Sequence, residues 1–157
     1  MRFPRGQHSS PPWFCLLTVL FCAGLVFASC DSSGGSVDPD MRYYEFVHTS
    51  TSETYVAATS DPEVIQEVEA QLNKPMDERD KHINGTIAHG DGGHNEGYPW
   101  HFKTGEWALA DVSVEVCDGT PSFVSENVDY FVEEVGRYCP WNSRVNREVD
   151  PSMVLPD

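Results

Sequence analysis

Val112, Val114 and Val116 alternate with Ser113 and Glu115. β-Branched residues at a spacing of two predict a strand with one buried face. Asp118 and Gly119 supply the turn chemistry that ends it. Phe123, Val124, Asn127, Val128, Phe131, Val132 and Val135 then recur at three- and four-residue spacing. That period predicts a helix with one stripe against the sheet. Pro121 suits its first turn, and Gly136 suits the position just past its last.

The same patterning organises the chain upstream. Tyr44, Phe46 and His48 share one face of a first strand, and residues 54–59 form a second. The Thr-Ser-Thr-Ser turn between them predicts a hairpin. Ser60 with Glu63 fits a capping box, and Asp61 before Pro62 fits an N-cap equally well. Val64, Ile65, Val68 and Leu72 mark the buried stripe of a helix ending near Lys74 and Pro75. Residues 82–88 read as a third strand, with Ile83 and Ile87 on one face. Gly85 marks a bulge or a close backbone approach. Residues 89–99, with four glycines and no apolar period, form a loop. Residues 100–103 make a short strand, Trp107 starts the approach to the valine strand, and the chain after Trp141 is a polar tail. The expected class is α+β. It is a single small domain with an antiparallel or mixed sheet of about five strands and two helices, in the order β-β-α-β-β-β-α.

The N-terminal pattern is of another kind. Arg2 and Arg5 precede an apolar run from Trp13 to Phe27, followed by Ala28, Ser29 and Cys30. A basic start, a short apolar core and small residues before a cut describe a secretory signal. Residues 1–30 are read as that signal, 31–41 as a flexible tether, 42–147 as the domain and 148–157 as a tail. Two cuts compete: one after Ala28, and one at a bacterial lipobox formed by Phe27, Ala28, Ser29 and Cys30. Phe27 departs from the usual lipobox residue. Cysteine arithmetic nevertheless favours lipidation of Cys30, because Cys15 and Cys22 leave with the leader and Cys117 pairs with Cys139.

That pairing follows from the centre of the chain. Cys117 ends the valine strand and Cys139 lies just past the helix, so a strand–turn–helix that doubles back brings them together. A bridge over such a loop contributes roughly 3 kcal/mol in the chain-entropy model. The alternative is two unpaired buried thiols, and an oxidising compartment favours the bridge.

Charge narrows the partners. The chain has 157 residues, with 25 Asp and Glu against 10 Lys and Arg, a formal charge of −15. All the acids follow Cys30, while Arg2 and Arg5 precede it, so the processed chain carries 25 acids against 8 bases, −17. Such a surface repels phosphate backbones and excludes nucleic acid as a partner. It also repels anionic headgroups, so membrane contact comes only through a lipid anchor.

Candidate chemistry is sparse. His82, His89, Asp91, His94, Glu96 and His101 form the one polar cluster, and imidazole with carboxylate suits zinc or a related ion. His89, Asp91 and His94 on the glycine-rich loop are the candidate ligands. Their spacing matches no known zinc pattern, and a solvated loop with no cofactor is the alternative. Trp100, His101, Trp107 and Trp141 are candidates for a binding surface bordered by that loop, against the alternative that the aromatics are core. No serine-nucleophile or phosphate-loop motif occurs.

Several stretches together resemble a known family. They are Tyr44-Glu45-Phe46, Ile83-Asn84-Gly85-Thr86-Ile87, Trp100-His101-Phe102, residues 114–119 (VEVCDG), Val124, and residues 138–145 (YCPWNSRV). The chain from Arg42 to Arg147 resembles the amino-terminal domain family named after the seventy-four-kilodalton calmodulin-binding protein. The resemblance implies one small domain, often secreted, with the two cysteines as its signature, and little about activity. Calmodulin is not carried over as a partner, because its targets are basic amphipathic helices and neither expected helix is basic. The expected function is a secreted or lipid-anchored binding or inhibitor-like module outside the cytoplasm, for an unknown protein or small ligand. The alternatives are a metal-dependent hydrolase using residues 82–101, and a structural surface lipoprotein.

Overall fold

The computed structural model describes residues 38–154. The leader, Cys30 and most of the tether lie outside the described residues. Five strands and two short helices build an α+β domain: β1 (Arg42–His48), β2 (Thr54–Thr59), α1 (Pro62–Leu72), β3 (His82–His89), β4 (Trp100–Ala110), α2 (Pro121–Glu126) and β5 (Ser143–Val149). A π-helical turn, Tyr130–Val135, follows α2. All pairings are antiparallel, and they form two sheets where one was expected. One has the order β2-β1-β5 and the other pairs β3 with β4.

The hairpin of β1 and β2 forms as its alternation requires, with Phe46 opposite Tyr55 and Tyr44 opposite Ala57. Strand β1 is central and buried on both faces. Tyr44 and Phe46 enter the main core, while Tyr43 packs with Ala58 and Val149 in a smaller cluster behind it. Helix α1 starts where its signals say: Asp61 is the N-cap, its carboxylate accepts from the amides of Glu63 and Val64, and Pro62 occupies the first turn.

Gly85 is both a bulge and a close approach. A Cβ there would sit 2.3 Å from Trp107 Cβ and 2.7 Å from the Glu106 carbonyl oxygen, atoms with no rotamer to escape into. The Gly85 amide and carbonyl also bond the backbone of Tyr138 at 3.1 and 2.9 Å. Opposite it, β4 carries extra residues. Gly85 pairs with Trp107 but Ile87 with Phe102, so Lys103–Glu106 bows out of the ladder. That polar excursion makes one long strand look like a short strand and a separate approach.

Two other expectations need correction. The valine alternation at 112–116 does not become a strand: Val112, Val114 and Val116 are 84, 64 and 56 % exposed. The chain turns away from the sheet at Asp111, runs extended, and closes in a short 3₁₀ turn at Glu115–Cys117. Alternation makes a strand only where a neighbouring strand can take its hydrogen bonds, and none is beside it. The fifth strand comes instead from the supposed tail. Ser143, Val145 and Val149 are buried along β5. Arg79 ties it down by donating to the carbonyls of Val145 and Asn146 at 2.6 and 3.1 Å. The order is therefore β-β-α-β-β-α-β. The long helix expected after Pro121 is also broken, at Asn127, before the π turn ends at Gly136 in the left-handed region.

Candidate functional site

The main core is aromatic. Trp100 and Trp107, expected on a binding surface, are 0 and 4 % exposed and belong to it. Trp107 donates its indole N–H to the Ala58 carbonyl at 2.8 Å, and Trp100 donates to Ser125 Oγ at 3.0 Å. Their polar edges are satisfied internally, as burial of an indole requires. Of the four expected surface residues, only Trp141 presents substantial apolar area, while His101 is half-buried.

The glycine-rich loop is braced rather than loose. Asn95 is buried, accepts from the Val56 amide at 2.9 Å and donates to the Trp100 carbonyl at 2.8 Å. His101 Nδ1 bonds the Gly90 carbonyl at 2.8 Å, and its ring lies so close to Gly92 that a Cβ there would meet it at 2.5 Å. Gly92 has φ +64°, so glycine answers both demands.

The expected metal trio is not assembled. His94 is buried, its ring tilted 6.0 Å from Tyr43 and edge-on to His101, with Nδ1 on the Gly92 carbonyl. Asp91 spends a carboxylate oxygen on the Gly93 amide. His89 turns the other way, toward Asp129 and Glu133. His82 and Glu96 do not join it. His82 is buried beside residue 113, and Glu96 faces solvent.

A different surface collects the unexplained features. The exposed valine segment is pinned at both ends. After it, Cys117 and Cys139 stand in disulfide geometry with Cα atoms 5.2 Å apart, and the Cys139 amide donates to the Cys117 carbonyl at 2.8 Å. Within it, Ser113 Oγ accepts from Asn84 Nδ2 at 2.6 Å and contacts His82 Nε2 at 2.7 Å. The amide donation leaves the Ser113 hydroxyl proton for His82 Nε2, which is therefore the acceptor on a neutral ring. Asp80, His82, Asp111, Val112, Ser113, Trp141 and Arg144 line a cleft of about 210 Å³. Trp141 is 40 % exposed there, its amide held on the Asp118 carboxylate at 2.9 Å. Sequence patterning pointed at this stretch but placed it in the core. The signal that could have exposed it is the lack of a turn and a partner strand upstream of Val112.

Burial lowers the pKa of His48, of His82 (with Arg144 adding to the effect) and of His94. The fold holds these rings neutral where free imidazole, with a pKa of about 6.5, takes up protons. Below that value the unfolded chain binds more protons than the folded one, so stability rises with pH and is lost as pH falls. Denaturant unfolding at pH 7.5, 6.5 and 5.5 is expected to show that decline, at most about 1.4 kcal/mol per pH unit for each histidine. It should begin before the carboxylates protonate. A flat profile over this window would mean the three rings protonate freely in the folded state.

Among the described residues, no helix is long and apolar enough to cross a membrane. A family model, that of the amino-terminal domain of the seventy-four-kilodalton calmodulin-binding protein, matches residues 40–152. Comparison with curated proteins and with solved structures gives no match.

Proposed function

The chain belongs to the amino-terminal domain family of the seventy-four-kilodalton calmodulin-binding protein, and from that premise we propose that it is a non-enzymatic protein-binding module working outside the cytoplasm. One observation carries the reading: three alternating valines face solvent in a segment pinned beside an exposed tryptophan. An exposed apolar patch in a pinned segment costs solubility and contributes nothing to the core, which is the signature of a contact surface. A tryptophan beside a cleft is the kind of anchor that concentrates binding energy. Asp80, Asp111, Glu115 and Asp118 lie along or beside the segment, so the partner it fits has an apolar centre and a basic rim. The contact surface is thus the 112–116 segment with Trp141, in place of the braced 89–99 loop.

The location rests on two supports. The leader has the form of a secretory signal ending in a lipobox-like Cys30, and a Cys117–Cys139 bridge is kept only in an oxidising compartment. A lipid on Cys30 would hold the domain at the cell envelope through residues 31–41. Calmodulin does not fit as the partner: α1, α2 and the π turn carry no Lys or Arg.

Capture from envelope and secreted fractions is the test, run with the native chain and with a Val112→Ser, Val114→Ser, Val116→Ser triple variant. These side chains are exposed, so the variant should fold normally by circular dichroism. A partner retained by the native chain, released at raised salt and lost with the triple variant is the expected result. A partner held equally by both would place the contact elsewhere, and recovery of none would remove the binding reading.

A further inference from the structure

We propose that His89, Asp129 and Glu133 form a binding site for one divalent transition ion of the zinc class. His89 is the last residue of β3, paired with Trp100 across the ladder, and the next amide is fixed on the Pro99 carbonyl at 2.9 Å. Asp129 and Glu133 approach from the junction of α2 and the π turn. One ligand atom of each lies within 4.8 Å of the other two, and His89 Nε2 is 3.7 Å from Asp129 Oδ1.

That last distance is informative. It is too long for a hydrogen bond. Two ligand atoms each about 2.0–2.2 Å from a tetrahedral zinc stand roughly 3.4 Å apart. Small side-chain rotations therefore close the three atoms around an ion.

The chemistry agrees with the spacing. One imidazole and two carboxylates are a mixed nitrogen and oxygen set, which suits zinc and its neighbours better than calcium or magnesium. Three protein ligands on an exposed surface leave the fourth position to water. The π turn is a second pointer. Such widened turns recur at functional sites, and this one follows directly after Asp129 and carries Glu133. Among the described residues neither carboxylate is paired with Lys or Arg, so a cation also relieves their mutual repulsion.

Zinc and cobalt titrations of the chelator-stripped protein at pH 7.5 test the site, by calorimetry and by the visible absorption of the cobalt form. One ion per chain is expected. Even changes one step outside a ligand sphere weaken metal binding about 10–100-fold, so His89→Ala and Glu133→Gln should each weaken it by at least about tenfold. Asp91→Asn should leave it unchanged. All three positions are exposed, and circular dichroism confirms that each variant is folded. Absence of stoichiometric binding overturns the proposal. So does binding that survives His89→Ala, or binding lost in Asp91→Asn.

Discussion

Replacing Trp100 by alanine is expected to destabilise the domain by about 3–5 kcal/mol, the range for a fully buried large aromatic. Trp100 is 0 % exposed. Its ring lies 5.1 Å from Tyr138, 5.2 Å from Tyr98, 5.5 Å from Tyr55 and 5.9 Å from Phe102. It therefore joins β2, β4, the braced loop and the corner that carries Cys139. Truncation leaves a cavity that four rings on different elements cannot collapse into, and it orphans Ser125 Oγ as well. A domain held by roughly 5–15 kcal/mol would retain little stability. Urea unfolding followed by far-ultraviolet circular dichroism measures the change without relying on tryptophan emission. Trp141→Ala is the control. Its ring is 40 % exposed, so less than about 1 kcal/mol should be lost. Equal losses in the two variants would mean that the core is not centred on Trp100.

This contrast also marks what the sequence could tell. Tyr44, Phe46, Val64, Val68, Ile83 and Ile87 fell on the expected faces because each sits in an element whose period and end signals agree. Trp100 and Trp107 were ambiguous, since a large aromatic with a polar edge suits a core and a contact surface alike. The valines at 112–116 misled for a definite reason. Period two states which face is apolar, but it does not supply the strand that must accept the backbone hydrogen bonds. Strand β5 was hidden in the opposite way. Its ladder is held by β1 and by Arg79, a residue 66 positions before Val145, and no local pattern carries that information. The grouping of His89 with Asp129 and Glu133 was illegible too, because it depends on how β3 meets the π turn. The cysteine pair was legible, since its logic is covalent and needs only the chain to double back.

Loss of the Cys117–Cys139 pair should cost about 3 kcal/mol, a fall in Tm of roughly 10–20 °C. The two positions are separated by 22 residues and both are buried, so the bridge closes a loop over α2 and the π turn. In the chain-entropy account most of the effect lies in the unfolded state, which regains the freedom of that loop. The Cys117→Ala, Cys139→Ala double variant tests this without leaving a lone thiol. Its folded state keeps other ties across the same corner: the Cys139 amide on Cys117, the Tyr138 hydroxyl on Gly119, and the Trp141 amide on Asp118. The double variant should therefore still fold, with amide exchange accelerated chiefly around residues 111–119 and 136–142. That pattern matters for binding. The exposed valines and Trp141 are held in relative position by this corner, so a partner that docks there should bind the double variant more weakly than its stability loss alone explains. Partner binding unchanged in a folded double variant would show that the bridge serves stability only. A mass unaltered by reduction in the native protein would show that the bridge does not form.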